Sequence, residues 1–211
     1  MKQEINPQES SRAEAFSLWM KSPMPMVTLM KTFDVSRLLK VSKRTGMKFT
    51  MLMCWCIGKA ASEIDEFYML PEGGKLFHYD KLAINGIVRN RKGGLNFFDI
   101  AFTEDLQQFN RDYLEKTARC ASECVTTTLE GYMLIGTSAV VQTELDCIVN
   151  QYSGVFNNPF LAWGKYRKGL FKTTLPISFQ FHHVQMDGGH AARFLNGLQK
   201  EIDRVGEAFQ K

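Results

Sequence analysis

Residue types that transfer protons or ligate metals crowd one stretch near the C-terminus. Residues 179–199 read FQFHHVQMDGGHAARFLNGLQ, with His182 beside His183, Asp187 four positions on and His190 three beyond that. Zinc is the first chemistry to weigh, but adjacent histidines on a strand point to opposite faces and do not share a tetrahedral site unaided. Proton transfer at an imidazole is the second. The elements that must hold these groups are legible in the pattern around them. Ile177, Phe179 and Phe181 alternate with Ser178, Gln180 and His182, as in a strand, and the same parity puts His183 on the apolar face. From His190 onward Phe194, Leu195, Leu198, Ile202, Val205 and Phe209 recur at helical spacing. Asp187 stands at the N-cap position, and Gly188 and Gly189 are expected to let the chain turn tightly. Two readings of this junction stand side by side: a satisfied core histidine followed by a plain helix cap, or a functional histidine.

The whole composition narrows the setting. At 211 residues and 45% hydrophobic, with no Pro/Gly/Ser-rich linker, the chain is expected to form a single domain over residues 1–211. A net charge of +4, spread along the chain, does not argue for nucleic acid, although it suits a substrate carrying phosphates. The longest apolar run, residues 51–58, is too short to span a bilayer, and MKQEINPQESS lacks the apolar segment of a secretion signal, so a cytoplasmic protein is expected, with no membrane partner. The five cysteines lack paired zinc spacing and read as buried thiols.

HHVQMDGGHAARFLNGLQ resembles the signature of the chloramphenicol acetyltransferase family, His-His-x-x-x-Asp-Gly-x-His followed by a helix ending near Leu-Gln; dihydrolipoamide acyltransferase catalytic domains carry a looser form of it. Further pieces follow along the chain. Ser11 to Glu14 has the form of a capping box, so a short helix is expected to start there; Arg12-Ala13-Glu14-Ala15-Phe16 also resembles the family's Arg-x-Glu-x-Phe, which implies that Arg12 pairs with Asp187. Breaking such a pair by removing one partner costs about 3–5 kcal/mol when it is buried. Met24, Met26 and Met30 read as core filler. A strand is expected over residues 26–33, a helix capped by Asp34 and a helix over residues 51–64. Lys48-Phe49 is similar to the family pair whose lysine lies near the phosphates of coenzyme A. Glu66-Phe67-Tyr68 departs from the family's Glu-Phe-Arg. Strands are expected over residues 76–88, 95–102 and 132–141, with a helix over residues 104–124 between the last two. Ser138 falls close to where the family places the serine that stabilises an oxyanion, although Val141-Gln142 replace the family's Pro-Trp. Asn158 to Tyr166 resembles Pro-x-x-Thr-x-Gly-Lys-Tyr with Ala162 in place of threonine, and residues 170–183 read as the second arm of a hairpin.

Together these features imply an α/β two-layer sandwich, a mixed or antiparallel sheet with helices on one side. The resemblance implies an acetyltransferase that moves the acetyl group of acetyl-CoA, its co-substrate, to a hydroxyl of chloramphenicol and so inactivates the antibiotic, with no metal and no permanently bound cofactor. His183, kept neutral by burial, is then the general base and Ser138 the oxyanion donor; Asp187 and Arg12 support the site. Trp19 and Ala162 line the acceptor pocket, while Lys48, Lys165 and Tyr166 bind coenzyme A. A homotrimer with sites between subunits is expected. Ala162 and Trp19, replacing a threonine and a tyrosine, imply a less polar acceptor pocket. An acyltransferase acting on another hydroxyl or a lipoyl thiol, or a non-catalytic trimeric binding protein, are the alternatives.

Overall fold

The computed structural model describes residues 1–152 and 154–209. Among these the chain forms, in order, β1 (Lys2–Ile5), a 3-10 turn (Pro7–Glu9), α1 (Ala13–Trp19), β2 (Met26–Asp34), α2 (Ser36–Thr45), α3 (Phe49–Ser62) and a 3-10 turn (Asp65–Tyr68). Then come β3 (Met69–Glu72), β4 (Lys75–Tyr79), β5 (Leu82–Arg89), β6 (Leu95–Ala101), α4 (Leu106–Glu123), β7 (Met133–Ala139), β8 (Phe160–Trp163), β9 (Arg167–Lys168), β10 (Thr173–His182) and α5 (Gly188–Ala208).

Strand β10 is internal, with β2 on one edge and β8 on the other, both antiparallel, and it is buried on both faces: helices cover the apolar one, and the segment that joins Ile148 N–H to Ser178 Oγ and the Asn150 carbonyl to Gln180 Nε2 crosses the other. The main sheet runs β2-β10-β8-β7-β5-β6, with β9 also paired to β10; β7 pairs in parallel with both β8 and β5, so the sheet is mixed. A smaller antiparallel sheet, β1-β4-β3, stands beside it. On the main sheet's covered face the Phe179 ring packs on Phe194 of α5 and on Phe67, 4.7 and 5.9 Å between centroids. Helices α2 and α3 pack against α5, and α4 lies on β6. Helix α3 is apolar nearly all round because it is enclosed on nearly every side, whereas α5 keeps one polar face. The two-layer α/β sandwich is the observed architecture.

Several local expectations shift. Ser11 does not cap α1: Arg12 occupies the N-cap position without a side-chain cap bond, and its N–H is taken by the Ser10 hydroxyl instead. The strand expected over residues 76–88 is two strands broken at Asp80, which pairs with the chain's amino terminus. Met24 and Met30 are exposed rather than in the core, Met30 because β2 is an edge strand. Gly188 and Gly189 have ordinary backbone angles and open α5, so they are not what turns the chain. Among the described residues no helix is long and apolar enough to cross a membrane, and no three His, Cys, Asp or Glu side chains cluster as metal ligands.

Candidate active site

β10 stops at His182, one residue sooner than its alternation suggests, and the reason is local. The His182 Nδ1 accepts the Val184 N–H (3.1 Å), and its carbonyl accepts the N–H groups of Gln185 and Met186, which curls the chain into a turn. The burial expected of His183 therefore falls on His182, which is 1% exposed, while His183 is half-buried. Desolvation, and secondarily the neighbouring His183, push the His182 imidazole down to about 4, so it stays neutral and keeps Nδ1 free to accept.

Three groups hold His183. Its N–H donates to the Pro25 carbonyl (2.8 Å), its carbonyl accepts from Arg12 Nη2 (3.0 Å), and its ring stacks on Trp19 at 4.8 Å and 7° between planes. The His183 Nδ1 is buried and has no hydrogen-bond partner among the described residues, so the stack, not an acidic orienter, fixes the ring plane. Arg12 is 4% exposed and spans the whole turn: Nε donates to the Val184 carbonyl (2.9 Å) and Nη1 to Asp187 Oδ2 (3.2 Å). Asp187 in turn caps α5, its Oδ1 accepting from the Gly189 and His190 N–H groups. Partial burial pushes the Asp187 carboxyl up, but the His190 backbone N–H, the His190 ring and Arg12 outweigh it and hold the group below its ordinary value.

Ser138 and Ala162 lie elsewhere. Ser138 on β7 is the Cα partner of Ala162 on β8, and Ala162 that of Ser178 on β10, so the three form one row on the face away from the helices. Gly136, two residues before Ser138, leaves room for the Phe160 ring that lies over it. Ala162 is 2% exposed and opens onto no solvent within one chain. From Ser138 the way to His182 is two strands across, about 10 Å, and four residues along, about 13 Å, which is roughly 16 Å in all. His183 lies beyond that. Within one chain the Ser138 and His183 side chains do not bridge that distance to meet at one carbon.

Near the far end of β8 a cleft of about 430 Å³ is lined by Lys48, Phe49, Tyr113, Trp163, Lys165 and Tyr166. The three residues expected at coenzyme A are thus in one place, although 117 positions separate Lys48 from Lys165. Phe49 meets Tyr166 edge-on at 5.6 Å, Lys48 sits 5.9 Å from the Tyr113 ring centroid, and the Lys165 N–H is tied to the Thr143 carbonyl (2.7 Å). Val141 lines the same cleft, three residues after Ser138.

A family model described as chloramphenicol acetyltransferase matches residues 3–199. The chain belongs to the chloramphenicol acetyltransferase family. Chloramphenicol acetyltransferase 2 of Escherichia coli is 25% identical over 203 residues, covering 92% of this chain and 94% of that protein. A chloramphenicol acetyltransferase of Clostridium perfringens is 25% identical, covering 95% and 98%. Among solved structures, one titled chloramphenicol acetyltransferase superposes with a TM-score of 0.80 at 20% identity, covering 96% of this chain and all of the other. A probable dihydrolipoamide acetyltransferase of Listeria monocytogenes superposes at 0.71 and 12% identity, covering 98% and 96%. Membership makes the chain an acyltransferase, and the expected acetyltransferase-like fold is the one it has.

Within this acyltransferase the structure joins Arg12, Asp187, Trp19 and His183 at one end of β10, and Lys48, Lys165 and Tyr166 in the cleft, with Ser138 and Ala162 between the two on the open face. Sequence reasoning did not foresee that Trp19 stacks on the histidine, that Glu66 meets His190 or that Gln185 bonds the Met69 carbonyl. The one available signal was the spacing of Asp187 and His190, which is that of N-cap and N3 in a capping box; the structure shows that box complete.

Proposed function

We propose that the chain transfers the acetyl group of acetyl-CoA to a hydroxyl, with chloramphenicol as the acceptor, in sites shared between copies of a cytoplasmic homotrimer. His183 accepts the proton of the attacking hydroxyl as the new C–O bond forms at the thioester carbonyl. The Ser138 hydroxyl donates to the oxygen that becomes negative there. Collapse breaks the C–S bond, and the sulfur leaves with the proton His183 has taken. Lys48, Lys165 and the uncapped N-terminus of α3 suit the phosphates of coenzyme A, for which N-terminal N–H groups and cationic side chains are natural partners. Trp19 and Ala162 border the acceptor.

One observation carries the shared-site reading: the roughly 16 Å between Ser138 and His182 in a single chain. A base and an oxyanion donor that act on one carbon must then come from different copies. Mixing two variants tests it. His183→Ala and Ser138→Ala are each expected to lose most of their activity, and activity returns when their subunits are exchanged into common trimers. A mixture that stays inactive, or light scattering that finds a monomer at working concentration, removes the model.

The acceptor is tested by release of free coenzyme A from acetyl-CoA with chloramphenicol, with dihydrolipoamide, and with neither. Chloramphenicol-dependent release with a raised KM is expected, since Ala162 offers no hydroxyl and one lost neutral hydrogen bond costs about 0.5–1.5 kcal/mol. Release dependent on dihydrolipoamide alone would move the assignment to a thiol acceptor.

A further inference from the structure

Arg12 is not the sole group that grips the 183–187 turn. His190 sits between Asp187 and Glu66, with its Nδ1 3.2 Å from the Asp187 backbone N and 3.0 Å from Asp187 Oδ1, and its Nε2 2.9 Å from Glu66 Oε1. The Asp187 N–H can only donate, so a neutral ring accepts it at Nδ1 and carries its proton on Nε2, pointing at Glu66, whereas a proton on Nδ1 would turn that atom to Asp187 Oδ1 instead. Glu66 is 7% exposed, and its second oxygen meets Arg193 Nη2 at 3.4 Å. An ionised carboxylate accepts and never donates, so in that place it admits one tautomer of a neutral ring and disfavours the other. The chain just after Glu66 catches the turn again: Gln185 is fully buried and its Nε2 donates to the Met69 carbonyl at 2.7 Å.

We propose that Glu66 and His190 are positioning residues for the reaction: Glu66 holds the His190 proton on Nε2, so that Nδ1 anchors the Asp187 N–H and with it the turn that presents His183. The proposal rests on His183 as the base. Arg12 grips the carbonyls of the turn and His190 its last N–H, so the two braces act on opposite polarities of one backbone segment.

The test combines a spectroscopic signature with steady-state kinetics on the full chain. With 15N-labelled histidine, the His190 ring, assigned by its loss in His190→Asn, is expected to show a protonated Nε2 and an unprotonated Nδ1 near neutral pH. Glu66→Gln, whose amide can accept or donate, is expected to give averaged tautomers. The same variant lowers kcat by about tenfold to a hundredfold, the scale of a small misplacement of reacting groups, with KM for acetyl-CoA within about twofold of wild type. His190→Asn keeps an acceptor for the Asp187 N–H and retains more kcat than His190→Ala; should the alanine variant fail to fold, Glu66→Gln and His190→Asn decide. A proton on Nδ1 in the wild type, or wild-type kcat in Glu66→Gln, overturns the brace. His183→Ala is the separate control: activity surviving there sinks the base, while an inactive His183→Ala with unaffected Glu66 and His190 variants sinks only the brace.

Discussion

Every backbone N–H of residues 183–187 has a partner, namely the Pro25 carbonyl, His182 Nδ1, the His182 carbonyl twice and His190 Nδ1, and Arg12 takes two of the carbonyls. The segment after Ser138 is made differently. Its described residues between β7 and β8 form no strand or helix and cross the face of the sheet away from the helices, tied at points such as Ile148 N–H to Ser178 Oγ and the Asn150 carbonyl to Gln180 Nε2, with Val149 and Phe156 at 67% and 74% exposure. A histidine that must present one ring in one place is held by bonds internal to the chain before any ligand arrives. The Ser138 side keeps apolar surface exposed within one chain.

The sharpest way to break this contrast is to remove the group each region supplies. His183→Ala is expected to lower kcat by up to about 10⁴-fold, the upper range for a general base, whereas His182→Ala chiefly lowers Tm because it empties a buried position and frees the Val184 N–H. Equal losses of turnover in two folded variants would mean that His183 is not the base. Ser138→Ala should cost about 10²–10³ in kcat and leave Tm near wild type, since no hydrogen bond of the turn depends on it. A fall in Tm matching that of Arg12→Ala would erase the distinction between the regions.

Arg12→Ala comes next. It strips the donor from the His183 and Val184 carbonyls and the counter-charge from Asp187, and a buried acceptor left without a partner costs about 1–3 kcal/mol. Tm and kcat should fall together, and hydrogen exchange should quicken in residues 183–187 while residues 143–152 exchange as before. Uniform quickening would show that the turn is not a separate unit.

The smallest effects are in pH. Burial holds His182 at about 4, below its ordinary value near 6.5, so its contribution is full above about pH 6.5 and is lost as pH falls toward 4. Asp187 lies below the ordinary carboxylate value, so its contribution is full above about pH 4 and is lost only at lower pH, as the folded group protonates. Melting curves of wild type and His182→Gln are expected to differ most above about pH 6.5 and to converge as pH falls from about 6.5 toward 4, and those of wild type and Asp187→Asn to converge only below about pH 4. A single shared window would contradict the separate environments of the two groups.

Much of the turn is written locally. The alternation through Ile177, Phe179 and Phe181, the Asp187 cap and the 3.6-residue period of α5 each depend on residues a few positions apart, and they brought the strand, the turn and the helix to their observed places. The same locality explains the errors. Parity alone extended β10 to His183, but a hydrogen bond from Val184 to the His182 ring ended it one residue sooner, and that choice decided which histidine is buried. Ser11 had the right type for a cap, yet Arg12 was drawn into place by carbonyls more than 170 residues away. Sequence spacing also carried nothing about the distance between Ser138 and His183, because that depends on the order in which β7, β8 and β10 lie in the sheet. Strand order, the meeting of Lys48 with Lys165 and the contact of Glu66 with His190 were decided only by tertiary structure, since each is a contact between segments whose separation along the chain has no bearing on their separation in space.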